Sequence, residues 1–490
     1  MRTSPLSLRR CGVMLACAGT TALSCLTSLT AQPPGERPDR SRGELIFHHE
    51  FEPNIDPDVP GDGLGPLFNA RSCVACHHQG GSGGAGANRF NVHILSVIPP
   101  DNLRGEDRRR FRQELENIHP DLGFGSIILH REGTRPRYAQ WRERILGLQF
   151  DNPEKQMPER VRRQRGQALA SQGPVIRLPQ YRGFNFMVTQ RNTSSLLGAG
   201  LIDAIPDQAI RQAASWQAQR NDGIGGRISE VPAADGKGTV IGRFGWRGQM
   251  PSLEEFVRGA CAGELGLQVG EFRQPLDPTR RVYDVNDPDL FNIQAGNENG
   301  PDLVQEMKDP DFRSLVMYVE SLPPPARRMP EHKRDLAKVL QGQAHFNSLG
   351  CATCHLPRLG DVEGIYSDLL LHDMGPLLED PVPTPGIAAV SQPVPPPEVV
   401  QGGWLGRRPR EAFVMAPNLQ AFRSWRTPPL WGVGQTGPYM HDGRAATLHQ
   451  AILYHGGEAD RSRQAYVSLN LNGKQALWAF LNGMGQPPDQ

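Results

Sequence analysis

The sequence predicts a mainly α-helical chain of two similar units with long irregular loops and insertions, and three observations carry that expectation. One short cysteine motif occurs twice, far apart; the segments after the two occurrences read as copies of each other; and 54 glycines with 44 prolines in 490 residues demand extended connections. At roughly 150 residues per domain the length allows about three domain-sized units. With 53 Lys+Arg against 52 Asp+Glu, the net charge of +1 offers no uniform field to nucleic acid or an anionic membrane. A hydrophobic share of 38% is low for so loop-rich a chain, so a large apolar group inside the core would help to stabilise it.

The chain opens with an address. Met1 to Arg10 carries Arg2, Arg9 and Arg10 and no acid, and Cys11 to Leu29 has no charge, the order of an export signal. Residues 1–31 are expected to be the signal peptide, with Ala31 at the cleavage point, and the mature protein is expected in the periplasm or cell envelope. An uncleaved anchor competes, because the apolar stretch approaches spanning length; no later segment does, so the mature chain is expected to lack a transmembrane segment. The leader takes three of the eight cysteines and leaves Cys73, Cys76, Cys261, Cys351 and Cys354.

Four of these five form the repeated motif. Cys73-Val74-Ala75-Cys76-His77 and Cys351-Ala352-Thr353-Cys354-His355 are both C-x-x-C-H, the signature of covalent haem attachment. Two thiols one helical turn apart reach the two vinyl groups of one porphyrin, and the next imidazole points at the iron. A four-cysteine zinc site needs its pairs roughly 15–20 residues apart and no histidine after each. A redox dithiol needs one copy in a βαβ setting, and structural disulfides do not explain a repeated histidine. The expectation is two covalently bound haem c groups, with His77 and His355 as iron ligands. Cys261 is left over and reads as a small buried residue.

The Leu322-Pro323-Pro324-Pro325 break divides the mature chain into an N-terminal haem domain with an insertion (32–325) and a C-terminal haem domain (326–490), both cytochrome c-like. Five glycines between Gly80 and Gly86 make a loop after the first motif. The segment from Pro330 to Gly342 reads as a helix delivering the second motif, with proline near its start and glycine near its end. Pro381 to Glu398, with repeated Val-Pro units, reads as an extended surface loop. Aligning Leu253 with Leu448 superposes Gly248 on Gly443 and sets Ala260 opposite His455. One copy thus has a strong iron ligand where the other has a methyl group.

Asn69-Ala70-Arg71-Ser72, Arg243-Phe244-Gly245-Trp246, Arg426-Thr427-Pro428-Pro429-Leu430-Trp431-Gly432 and His441-Asp442-Gly443-Arg444 resemble the di-haem c-type oxidoreductases labelled peroxidases or "thiol oxidoreductases". That family is related to bacterial di-haem cytochrome c peroxidase and to MauG. The resemblance spans Gly43 to Gly485 and is most specific from Arg426 to Glu458. It implies that His455 falls where those peroxidases place a methionine ligand and MauG a tyrosine, giving a bis-histidine second haem with His355. It implies an enzyme that reduces hydrogen peroxide at the first haem, fed by a small redox protein such as a cytochrome c or a cupredoxin. It also implies a Ca²⁺ ion held partly by the backbone carbonyls of Thr436 and Pro438.

The sixth position on the first iron stays open between a vacant or water-filled site and His93 or Met250, with Trp246 a further pocket candidate and Met187 read as packing. Candidate acid–base residues are Glu254 and Glu255, with Glu264 on the same segment. Arg426 and Arg444 suit haem propionates, since a guanidinium pairs two carboxylate oxygens at once. A pure electron carrier with both irons saturated, and MauG-like oxidation of an organic or protein substrate, are the rival functions.

Overall fold

Two glycines, each four residues before a phenylalanine, decide how the helices cross. The computed structural model describes residues 37–53, 63–98, 103–146, 176–178, 180–233, 237–270, 272, 275–279, 307–327, 329–380 and 422–485; the expected leader (1–31) and Pro-rich loop (381–398) lie outside them. In chain order the helices that frame the site are α1 (Arg40–His48), α2 (Asp207–Ala218), α3 (Leu253–Leu265), α4 (Asp309–Glu320), α5 (Lys333–Ser348), α6 (Leu448–Tyr454) and α7 (Leu471–Asn482). Helix α1 packs on α4, and α5 packs on α7. A Cβ at Gly43 would collide with the Ser314 carbonyl, and one at Gly342 with the Ala476 carbonyl, so only glycine lets each pair approach. One turn on, Phe47 meets Tyr318 at 5.2 Å between ring centroids, and Phe346 meets Phe480 at 5.3 Å. The same two phenylalanines lie 6.4 Å from His77 and 6.3 Å from His355. The expected helix end at Gly342 is therefore corrected: α5 continues to Ser348, and the glycine serves the crossing rather than a stop.

The duplication extends to the backbone. Phe244 and Met250 exchange hydrogen bonds in an isolated antiparallel bridge, and so do their counterparts Tyr439 and Ala445. Between them Gly245 (φ 80°) matches Met440 (φ 71°), and Gly248 (φ 61°) matches Gly443 (φ 71°). Ser252 then caps α3 through the Glu255 amide, as Thr447 caps α6 through the Gln450 amide. The two helices part company only afterwards. Helix α3 continues to Leu265, whereas α6 stops at Tyr454 and the chain turns extended at His455.

An insertion in the first half supplies a sheet that the helical expectation did not contain. Strands β1 (Val92–Val97), β2 (Ser126–Ile128), β3 (Ile176–Arg177) and β4 (Phe186–Arg191) form an antiparallel sheet in the order β2-β1-β4-β3. Its own core includes Leu95, Leu122, Tyr138, Trp141 and Phe186. In the second half β5 (Leu371–Asp373) pairs with β6 (Ser424–Arg426), setting His372 opposite Trp425. The largest core draws on both sides of the proline break, from Phe68, Leu253 and Phe312 to Leu370 and Trp431. From Pro38 onward the chain clusters as one compact unit. Among the described residues no helix is long and apolar enough to cross a membrane.

Candidate functional site

A cavity runs from Phe244, Trp246 and Phe256 in the first half to Cys351, His355 and His455 in the second. At its second end the two histidine rings lie with centroids 6.5 Å apart, their planes tilted by 50°. His355 Nδ1 lies 2.9 Å from the Tyr366 carbonyl, and His455 Nδ1 lies 2.8 Å from that of Ala451. A carbonyl can only accept, so each Nδ1 carries the proton and each Nε2 keeps its lone pair, the arrangement of a metal-bound imidazole. Two metal–nitrogen bonds of about 2 Å plus the ring radii need centroids about 6 Å apart, which the pair provides. Burial, and then the neighbouring His455, pushes His355 down to about 4, and burial also lowers His455. Both rings are thus neutral at pH 7, as ligands must be.

The first motif repeats the device on one side only. His77 Nδ1 lies 3.2 Å from the Gly84 carbonyl, and burial takes its pKa down to about 4. The Gly80–Gly86 loop exists to bring that carbonyl round. Ala260 stands in the register of His455 on α3 and offers no ligand. His93 lies on β1 opposite Gln190, where burial, then the charges of Arg142 and Arg131, push its pKa to about 3. Met250 is a buried core residue in the bridge with Phe244, and Met187 packs on Ile94. Trp246 lines the cavity and donates to the Asn192 carbonyl at 2.8 Å.

The carboxylates sort by burial. Glu254 is exposed and paired with Arg258, and Glu255 occupies the third helical position behind the Ser252 cap, its pKa raised by partial burial. Glu264 is the third carboxylate of the same helix, α3. Glu264 couples electrostatically to Cys76, burial raises its pKa to about 7, and Asn69 holds it with a 2.6 Å hydrogen bond. Arg426 is buried, donates to the Gly245 carbonyl and lines the cavity, whereas Arg444 is already fastened to Asp442.

Thr436 and Pro438 line the same cavity. The Gln79 amide, turned with its nitrogen inward, donates to the carbonyls of Gly437 (2.6 Å) and Gly86 (3.1 Å). Sequence reading missed two buried clusters, because each is closed by a residue far away in the chain: Asp380 is 189 residues from Arg191, and Glu458 is 86 from His372. Arg191 pairs with Asp380 beside Trp425, whose ring stacks on His441 at 3.7 Å. Asp368, His372 and Glu458 form an ion cluster at the second motif. No local pattern announces either.

Comparison with known proteins returns one family model, described as "Di-haem oxidoreductase, putative peroxidase", matching residues 180–384 and 416–484, more than half of the chain. The first C-x-x-C-H motif lies outside the matched stretch, so the match is narrower than the resemblance read from the sequence. No curated protein matches. Among solved structures, a variant of the diheme peroxidase BthA from Burkholderia thailandensis aligns over 91% of this chain and 86% of its own, at 15% identity and a TM-score of 0.34. A MauG-like protein associated with microbial copper homeostasis covers 58% of this chain and 90% of its own (16% identity, TM-score 0.25). Hydrazine synthase of Kuenenia stuttgartiensis covers 57% and 88% (19% identity, TM-score 0.23).

Proposed function

The chain belongs to the di-haem oxidoreductase family, and from that premise we propose that it is an exported c-type enzyme that reduces hydrogen peroxide at the first motif's haem. Electrons would enter from a small redox protein, a cytochrome c or a cupredoxin, and pass through the second motif's haem. The observation that carries this reading is the asymmetry of the two ends: two imidazoles 6.5 Å apart at one, an alanine in the matching register at the other.

Bound haem supplies the redox chemistry, in which peroxide takes up two electrons and two protons and leaves as two waters. Cys73, Cys76, Cys351 and Cys354 would carry the thioethers. The Tyr366 and Ala451 carbonyls take the Nδ1 protons of His355 and His455, so both Nε2 atoms would be free to hold the second iron. His77 is oriented the same way by Gly84 and has no partner at the Ala260 register. Glu264, with a pKa of about 7 and held by Asn69, can accept and return a proton near neutral pH. Arg426 offers a buried guanidinium to a propionate.

Calcium belongs to the same proposal, at the Thr436 and Pro438 carbonyls. Chelation that alters the spectrum of the loaded protein supports the ion, and chelation without effect removes it.

The enzyme reading is tested by mixing oxidised protein with cyanide and with peroxide. A high-spin band that shifts on mixing, with peroxide consumed, is expected. A wholly low-spin spectrum that ignores both reagents would make the protein an electron carrier.

A further inference from the structure

We propose that the buried Asp368–His372–Glu458 cluster sets the reduction potential of the second haem, as a net-negative group against Cys354 that favours the oxidised state. The inference rests on the reading that this haem is bound through Cys351 and Cys354 and held between His355 and His455.

His372 Nδ1 lies 2.8 Å from Glu458 Oε2, and Nε2 lies 3.0 Å from Asp368 Oδ2. Both ring nitrogens meet carboxylate oxygens, so both donate, and the ring is an imidazolium. Burial by itself would lower its pKa, but hydrogen bonds with Asp368, Cys354 and Glu458 outweigh that and hold it well above the ordinary histidine value. Two carboxylates around one imidazolium leave one negative charge. Asp368 and His372 are 0% and 2% exposed, so water screens that charge little.

The cluster is fixed at every oxygen. Asp368 accepts from the Leu370 amide (2.9 Å) and Gln217 Nε2 (2.6 Å); Glu458 accepts from the amides of Asp373 (3.0 Å) and Gly225 (2.9 Å). Gln217, on α2, also donates to the Thr353 carbonyl inside the C-x-x-C-H turn. His372 Nδ1 lies 3.6 Å from Cys354 Sγ, so the charge sits at the attachment point itself. Cys354, Asp368 and His372 also bring three metal-ligating atoms within 4.8 Å of one another, but the imidazolium already supplies the cation between the carboxylates. Arg426 is the cation that feels Asp368, and in the proposed function a propionate takes up its charge.

Cys76, the counterpart in the first motif, has different company: Glu264, whose pKa burial raises to about 7, and the Arg131 guanidinium. A more negative surrounding stabilises the oxidised state, so the cluster lowers the second haem's potential relative to the same site without that charge. Local charge and burial are among the protein's levers on haem potential.

The test is spectroelectrochemical titration of the loaded full-length protein, following the low-spin haem. Glu458→Gln and Asp368→Asn are each expected to raise its midpoint, with the first haem's midpoint unmoved. His372→Gln is expected not to raise it, because one carboxyl then takes up the proton. In the wild type, reduction of the low-spin haem should perturb protonated-imidazole ring modes in the infrared difference spectrum. Unmoved midpoints in both carboxamide variants, an equal rise in His372→Gln, or a difference spectrum without those modes would overturn the proposal. A wild type with no low-spin, two-histidine signal would instead remove the reading beneath it.

Discussion

From the bridge to the helix after it, the two halves share a backbone and differ in how far that helix runs. Gly245 and Met440, Gly248 and Gly443, Ser252 and Thr447 occupy matching positions in matching conformations. The crossings at Gly43 and Gly342 use the same glycine-and-phenylalanine device. Then α3 runs on through Ala260 to Glu264, while α6 stops and turns His455 into the cavity. A duplicated frame thus needs few local changes to give two ends with different chemistry. The ended helix supplies a ligand, and the continued one brings a carboxyl.

Exchanging those features should break the contrast most sharply. Ala260→His would give the first end the second end's ligand; we expect its high-spin signal to disappear and peroxide turnover to fall by more than tenfold. Next in size, Glu264→Gln should slow the reaction with peroxide by about 10²-fold, the lower range for a lost acid–base group, with cyanide binding retained. The same substitution tests linkage. Burial raises the Glu264 pKa from 4.5 to about 7, so its contribution to stability is complete below 4.5 and is lost as pH rises through 7. Unfolding of the wild type should show that slope, and the glutamine variant should flatten it.

Gly43→Ala and Gly342→Ala probe the shared frame. Each forces a methyl into a neighbouring carbonyl, and each should cost about 1–3 kcal/mol in denaturant unfolding. Unequal costs would show that the two crossings are not equivalent. Glu254→Gln should do least, under about 1 kcal/mol with peroxide kinetics unchanged, because its pair with Arg258 is a surface one.

The range of each interaction decides how much of it the sequence discloses. The motifs, the Ala260–His455 register and the loop after Cys76 are local patterns, each readable from a few adjacent residues. The sheet around β1 and β4 was not legible, because its strands are far apart in sequence and one, Ile176–Arg177, has only two residues. Gly342 was misread for a physical reason: a helix-ending glycine and a glycine at a helix crossing look alike until the partner helix, more than a hundred residues on, is known. Glu254 and Glu255 shared a segment with Glu264, and only burial separated them. The Asp368–His372–Glu458 cluster draws on the segment before β5, on β5 itself and on the turn after α6, 86 residues from His372.

The proposed pairing of His355 with His455, against a first end with no ligand at the Ala260 register, is tested most directly by electron paramagnetic resonance of the oxidised, fully loaded protein and its His455→Ala variant. One high-spin and one low-spin centre are expected in the wild type, with the low-spin signal lost in the variant. A low-spin signal that survives the substitution, or two low-spin centres from the outset, would contradict the account.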